Sequence, residues 1–492
     1  MAVTALESEA TDRVRLLLNG ERVEVVGLPA TTTVLEYLRE HAGLTGTKEG
    51  CAEGDCGACT VLLCEWRGDD TPLGFRASNS CIRLLPTIDG CELLTVEGLA
   101  DADRLHPVQQ AMVDHHGSQC GFCTPGFVMS LAGLYLEEPE PDREQVVHAI
   151  AGNLCRCTGY RPIIDAGLAM GAAPSPVTWH RDAVDIPERR GALKDLLRDR
   201  ALTLPDFVAP RSLDELAAWR LSEPEARLLA GGTDLGLEVT KALKPMPMLI
   251  HVGAVPELLR IESTADGLVI GAAVTLSDAL RAILELFPGF AEVAERFASP
   301  PVCHSGTLGG NVANGSPIGD GMPLLLAADA RLQLRRGDEQ RTLPLSRFYP
   351  GYRQTALQEG EFLCAIEIPC PQPGWHFAGY KLAKRWDQDI SAVCGGFGLA
   401  ISNGRIVAAR LGFGGMAAVP AQASAAEAAL IGAALTAASF DAAALALAQD
   451  FTPIDDFRGS AAYRLQGAGN LLRRFGRSLL PDGERIALRE VE

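Results

Sequence analysis

The spacing of the cysteines constrains this chain more than any other feature. Cys51, Cys56 and Cys59 form C-x4-C-x2-C, and Cys81 follows after 21 residues. That is the plant-type ferredoxin spacing for a 2Fe-2S cluster. An anionic cluster needs a tightly wound loop that turns backbone N–H groups onto sulfur, and Gly50, Gly54 and Gly57 are expected to supply positive φ angles there. Zinc sites usually use two C-x2-C pairs, and this segment contains one. Ten of the 14 cysteines lie in residues 1–172, a density that in a reducing compartment points to metal rather than disulfides.

A second set is Cys120-Gly-Phe-Cys123 with Cys155-Arg-Cys157, 31 residues on. By spacing alone it suits zinc as well as iron. Its placement favours a cluster, because Cys123 precedes an expected helix start and Cys155 follows an expected helix end, so helix dipoles could act on one group.

The strings CAEGDCGAC (51–59), QCGFCTPG (119–126) and NLCRCTGY (153–160) together resemble the iron–sulfur part of the molybdenum hydroxylases. That family includes xanthine-, aldehyde- and carbon monoxide-oxidising enzymes. The resemblance covers residues 14–172 and all eight cysteine ligands: Cys51, Cys56, Cys59 and Cys81 for one 2Fe-2S cluster, Cys120, Cys123, Cys155 and Cys157 for the other. The remaining cysteines, 64, 91, 303, 364, 370 and 394, carry no motif and are expected to be buried free thiols for the most part.

Local patterns give the organisation. Val14–Leu18 and Glu21–Val26 alternate around Asn19-Gly20, the turn that best matches hairpin twist. One of Thr31, Thr32 and Thr33 can cap a helix running to about His41. Helices are expected at 106–116, 125–138, 142–151 and 160–171, with Thr124 and Asp142 as caps. Residues 173–200 mix proline and charge and read as an exposed linker. Beyond them, β-like and helical runs alternate, and the alanine-rich 421–449 suggests one or two helices. The expected fold is therefore multidomain α+β. The resemblance implies a β-grasp ferredoxin domain (1–98), a four-helix 2Fe-2S domain (99–172), the linker (173–200), a vanillyl-alcohol-oxidase-like FAD domain (201–374) and a C-terminal α+β flavoprotein domain (375–492).

Two glycine-rich strings follow the linker, Ala230-Gly-Gly-Thr-Asp234 and Gly306-Thr-Leu-Gly-Gly-Asn311 running on to Ser316-Pro-Ile-Gly-Asp320. Neither is a Rossmann or P-loop motif, and taken singly each could be a structural turn. In this order they resemble the family's FAD domain. The resemblance assigns Gly231, Gly232, Thr233, Asp234, Thr307, Gly310 and Asn311 to the pyrophosphate, with Ser316 and Asp320 nearby, and puts Phe297 and Lys381 near the flavin ring. No catalytic side chain is expected, because the chemistry is centred on the flavin.

Composition narrows the function classes. The formal charge of −18 argues against a sequence-independent grip on nucleic acid or anionic membranes. No run approaches a membrane span, and the N-terminus lacks a secretory pattern, so the expected location is the cytoplasm. Lys381, Lys384 and Arg385 form a basic exception, where the anionic NAD pyrophosphate is expected to dock. The molybdenum domain of the family would need several hundred more residues, so the resemblance implies a molybdopterin-binding large subunit, two small and two large chains forming a heterotetramer. The implied role is electron transfer from xanthine oxidation by that partner, through two 2Fe-2S clusters and FAD, to NAD. Alternatives are the same role for an aldehyde or N-heterocycle dehydrogenase, or a zinc-stapled scaffold or redox sensor.

Overall fold

The computed structural model describes residues 11–100, 104–172, 185–480 and 483. It divides into two compact units. The first comprises Met1–Trp219, Glu225–Pro256 and Ser299–Gly306, the second Arg220–Pro224, Glu257–Ala298 and Thr307–Glu492. The expected FAD segment 201–374 thus contributes to both.

The first unit opens with a hairpin, β1 (Val14–Leu18) and β2 (Glu21–Val25). Asn19 and Gly20 both have positive φ, 53° and 87°, which sets Leu18 opposite Glu21. This is the primed-turn geometry that the Asn-Gly pair favours. Three more strands, β3 (Thr60–Cys64), β4 (Phe75–Asn79) and β5 (Glu92–Leu94), complete a sheet of order β2-β1-β5-β3-β4. The parallel β1–β5 pairing requires a crossover, and the cysteine loop lies within it. Thr33 caps the short helical turn that precedes this loop, its Oγ1 accepting from Glu36 N at 3.0 Å.

Helices α1 (Pro107–Asp114), α2 (Thr124–Glu137), α3 (Arg143–Ala149) and α4 (Arg161–Ala169) follow. Asp142 caps α3 with Gln145 in a reciprocal box, both bonds 2.8 Å. Thr124 does not cap α2: it is the first helical residue, and its hydroxyl bonds Ser118 Oγ instead. Phe127, Val128, Met129, Leu131 and Ala132 of α2 are all buried, which makes this helix the centre of the helical core.

The expected exposed linker needs correction. Residues 173–184 lie outside the described residues, but the rest is structured, with a helix α5 (Pro187–Lys194). Leu193 and Leu196 are buried in the helical core. Arg189 pairs with the buried Glu92 at 3.1 Å and Arg198 with Asp89 at 2.6 Å, so the charges that suggested solvent instead tie the segment down. Four short strands, β6 (Leu202–Leu204), β7 (Phe207–Ala209), β8 (Arg227–Leu229) and β9 (Leu249–His251), form a sheet of order β6-β7-β9-β8.

The second unit carries two antiparallel sheets. The first, of order β10-β11-β14-β12-β13, joins β10 (Ile261–Ser263), β11 (Gly267–Gly271), β12 (Arg331–Arg336), β13 (Glu339–Pro344) and β14 (Phe362–Pro369). The other is made of β15 (Trp375–Leu382), β16 (Val393–Ser402), β17 (Arg405–Gly414) and β18 (Ala421–Gln422). Three helices, Ser424–Leu430, Ala437–Asp450 and Ala461–Leu479, share the core of this second sheet with Phe397, Phe413, Phe440 and Phe475. Among the described residues no helix is long and apolar enough to cross a membrane.

Candidate redox cofactor sites

The loop between the helical turn and β3 winds tightly around Cys51. Its sulfur faces the N–H groups of Glu53, Asp55 and Cys56, each at 3.4 Å. Gly54 and Gly57 have φ of 77° and 67°, as the winding demands, whereas Gly50 does not. Gly50 is required for a different reason: a Cβ there would stand 2.7 Å from Cys56 Sγ. The four side chains meet, Cys51 with Cys56 and Cys81, and Cys59 with Cys81. The Cys56 thiol, then Cys81 and the backbone N–H groups, hold the Cys51 thiol far below its ordinary range. Contact with Cys51 pushes Cys56 and Cys81 up.

The second set closes in the same way, Cys123 against Cys155 and Cys120 against Cys157. Burial, with Cys155 adding to it, pushes Cys123 up to about 12. Four cysteine sulfurs gathered in each set are what two irons with two protein ligands each require, so both donor sets fit 2Fe-2S clusters. Cys59 and Cys81 are buried, while Cys120 and Cys157 are exposed. Of the cysteines without a motif, 64, 91, 303 and 394 are buried, and 364 and 370 only partly so.

The two cysteine loops touch. Leu154 N–H, one residue before Cys155, donates to the Cys56 carbonyl at 3.0 Å. Asn153, buried, donates from Nδ2 to the Gly57 carbonyl at 3.0 Å and accepts from Ser130 Oγ at 2.6 Å. Gly57 must be glycine twice over, since its φ is positive and a Cβ would collide with the Gly152 carbonyl. Sequence reasoning missed Asn153; its place two residues before Cys155 was the available signal.

The FAD candidates fall into two groups, one in each unit. In the first unit, Gly231, Gly232, Thr233 and Asp234 form the turn between β8 and the helix Leu235–Thr240. Gly231 passes so close to Ser305 that a side chain would collide with its carbonyl. The turn and helix lie on the first cysteine loop: a Cβ at Gly236 would reach 2.5 Å from the Ile82 carbonyl. Thr240 Oγ1 donates to Ala52 O at 2.7 Å, and Lys241 Nζ to Cys51 O at 3.1 Å.

In the second unit, Thr307 Oγ1 accepts from Gly310 N at 2.9 Å, capping the turn, which leaves its O–H as a donor. Asn311 Oδ1 is buried without a hydrogen-bond partner in the protein, an orphan that suits a bound polar group. Phe297 is buried, and Ser316 accepts weakly from Ile318 N at 3.4 Å. Asp320 and Lys381 meet each other, at 2.8 Å, and both are buried. Ser391 donates to the other Asp320 oxygen at 2.5 Å, and Lys381 also donates to the Arg296 carbonyl at 3.0 Å. Arg296, which the sequence did not single out, donates to the Lys381 carbonyl at 2.7 Å and stacks 4.6 Å from the Trp386 ring. Lys384 and Arg385 remain exposed, with Lys384 Nζ on the Phe457 carbonyl at 2.7 Å.

Comparison with known proteins agrees with this layout. Residues 16–84 match a 2Fe-2S iron-sulfur cluster binding domain and 95–168 a [2Fe-2S] binding domain. Residues 200–371 match the FAD binding domain in molybdopterin dehydrogenase, and 378–479 the CO dehydrogenase flavoprotein C-terminal domain. Xanthine dehydrogenase/oxidase of Rattus norvegicus is 32% identical over 457 residues, 82% of this chain and 34% of that one. Xanthine dehydrogenase of Emericella nidulans is 31% identical over 535 residues, covering 96% and 39%. The chain therefore spans little more than a third of the length of these relatives. Among solved structures, the cyanide-inactivated Cu,Mo-CO dehydrogenase matches with 32% identity and a TM-score of 0.51, covering 55% of this chain and 95% of that one. Quinoline 2-oxidoreductase from Pseudomonas putida 86 matches at 29% with a TM-score of 0.50, covering 54% and 93%. This chain belongs to the molybdenum hydroxylase family, and it carries two 2Fe-2S domains, an FAD-binding domain and a flavoprotein C-terminal domain.

Proposed function

We propose that this chain is the electron-transfer subunit of a xanthine dehydrogenase. It would take electrons from a molybdopterin centre on a partner chain and deliver them through two 2Fe-2S clusters and FAD to NAD. The observation that carries this reading is the run of hydrogen bonds in the first unit. It leads from the Cys155 loop through Leu154 and Cys56, and from Cys51 and Ala52 to Lys241 and Thr240, beside the Gly231–Asp234 turn. The exposure of Cys120 and Cys157 supports entry at that end, and the burial of Cys59 and Cys81 supports an interior step.

When bound, the clusters carry single electrons and the flavin exchanges them for a hydride. The residues proposed to hold the clusters are Cys51, Cys56, Cys59 and Cys81, and Cys120, Cys123, Cys155 and Cys157. Those proposed for FAD are Gly231, Gly232, Thr233, Asp234, Thr307, Gly310 and Asn311. Phe297, Ser316, Asp320 and Lys381 form the surroundings. Asp320 and Lys381 satisfy each other, so their proposed part is to fix the floor on which Arg296 and Trp386 rest. Lys384 and Arg385 are proposed to attract the NAD pyrophosphate, and their exposure supports that role.

Support for xanthine comes from the xanthine dehydrogenase relatives, and support for a partner from the Cu,Mo-CO dehydrogenase, one chain of which this chain covers to 95%. A second reading keeps the relay and gives the partner an aldehyde or N-heterocycle instead; the quinoline 2-oxidoreductase match favours it. The location proposed is the cytoplasm, and the assembly two small and two large chains.

The purified chain alone should pass electrons from NADH to an artificial dye and should not oxidise xanthine. Xanthine turnover by protein verified free of other polypeptides and of molybdenum would overturn this division of labour. Absence of NADH-dye activity with FAD and iron in place would overturn the NAD step.

A further inference from the structure

Asn79 ends β4, opposite Thr60 on β3 and two residues before Cys81. Its residue exposure is only 2%, and neither Oδ1 nor Nδ2 has a hydrogen-bond partner in the protein. Its neighbours are satisfied: Ser80 Oγ donates to the Cys59 carbonyl at 2.6 Å and Thr60 Oγ1 to the Gly57 carbonyl at 2.7 Å. A buried carboxamide with both ends open is costly unless another group meets it. A Cβ at Gly54, in the cysteine loop, would lie 3.7 Å from Asn79 Oδ1, so the open carboxamide stands at the cysteine site.

We propose that Asn79 Nδ2 donates a hydrogen bond to a sulfur of the 2Fe-2S cluster carried by Cys51, Cys56, Cys59 and Cys81, and so raises that cluster's reduction potential. The inference rests on reading these four cysteines as cluster ligands. One-electron reduction makes an anionic group more negative by one charge, and no proton need move. An N–H aimed at sulfur therefore stabilises the reduced form more than the oxidised one. Asn79 is a positioning residue in this sense: it sets where the electron rests without carrying it.

The test is a redox titration of the full chain followed by EPR, with the signal of this cluster assigned as the one altered in Cys59→Ser. Asn79→Leu keeps the volume and removes the donor. It should shift the one-electron equilibrium of this cluster about tenfold towards the oxidised form, about 59 mV. Asn79→Asp should shift it further in the same direction at neutral pH. The cluster of Cys120, Cys123, Cys155 and Cys157 should keep its potential in both. An unchanged potential in Asn79→Leu with full iron and sulfide, or equal shifts in both clusters, would overturn the proposal. Iron and sulfide missing from the unsubstituted chain would instead overturn the underlying cluster reading. Should Asn79→Leu fail to retain iron, pulsed EPR of the reduced unsubstituted chain, grown with asparagine labelled with 15N at the amide, decides the matter. A coupling from one amide nitrogen is expected, and its absence counts against the proposal.

Discussion

Replacing Cys155 by Ser should stop electron flow from a molybdenum-containing partner while largely sparing NADH-to-dye reduction. Loss of groups that merely support a metal ligand already costs about 10–100-fold, so loss of a ligand should reduce partner-driven NADH formation by more than about 100-fold. The selectivity follows from position. Cys155 belongs to the set whose Cys120 and Cys157 are exposed, whereas the Gly231–Asp234 turn and its helix lie on the other loop, through Lys241 and Cys51. Thr158 hydroxyl and backbone, which hold the Cys155 sulfur, are local enough that the helices of this domain should still fold. Stopped-flow reduction by the partner, run beside the dye assay, reads both arms. Equal loss of the two activities with normal FAD content would contradict the proposed order of the relay.

The second large effect should come from Lys381→Met. Lys381 and Asp320 are both buried and only 2.8 Å apart, so the substitution strands a carboxylate in the interior with Ser391 as its remaining side-chain donor. Breaking such a pair from one side costs about 3–5 kcal/mol. Adding Asp320→Asn to Lys381→Met should recover much of that loss, because the amide carries no charge and can still bond Ser391. Thermal unfolding of the full chain, read with flavin release, measures this cycle. A single-variant cost below about 1 kcal/mol, within the range of a solvated surface pair, would show that this interior ion pair does not hold the loop under Arg296 and Trp386.

Local signals in the sequence survive well where their partners are local. Asn19-Gly20 dictates the hairpin because two positive φ angles lie in adjacent residues, and Asp142 with Gln145 closes a cap within one turn. Both cysteine sets were legible because ligand spacing is itself the geometry. The failures share one cause, partners remote in sequence. Leu193 and Leu196 are two apolar residues in a charged segment, and their burial depends on the helical core and on Arg189 and Arg198 finding Glu92 and Asp89. Thr124 looked like a cap, yet Cys123 already adopts helical backbone angles and Thr124 turns to Ser118. Lys381, expected near the flavin, also has a partner the sequence does not show: its ammonium meets Asp320, 61 residues away. Asn153 was missed for the same reason, since it meets Gly57 across 96 residues.

Elemental and flavin analysis of the anaerobically purified chain tests the central claim most directly. Eight proposed thiolate ligands at four per cluster make two centres, so about four irons and four acid-labile sulfides are expected per chain, with one FAD and visible absorption from both. Zinc in place of iron, with no visible absorption, would contradict the account and return these cysteines to a structural role.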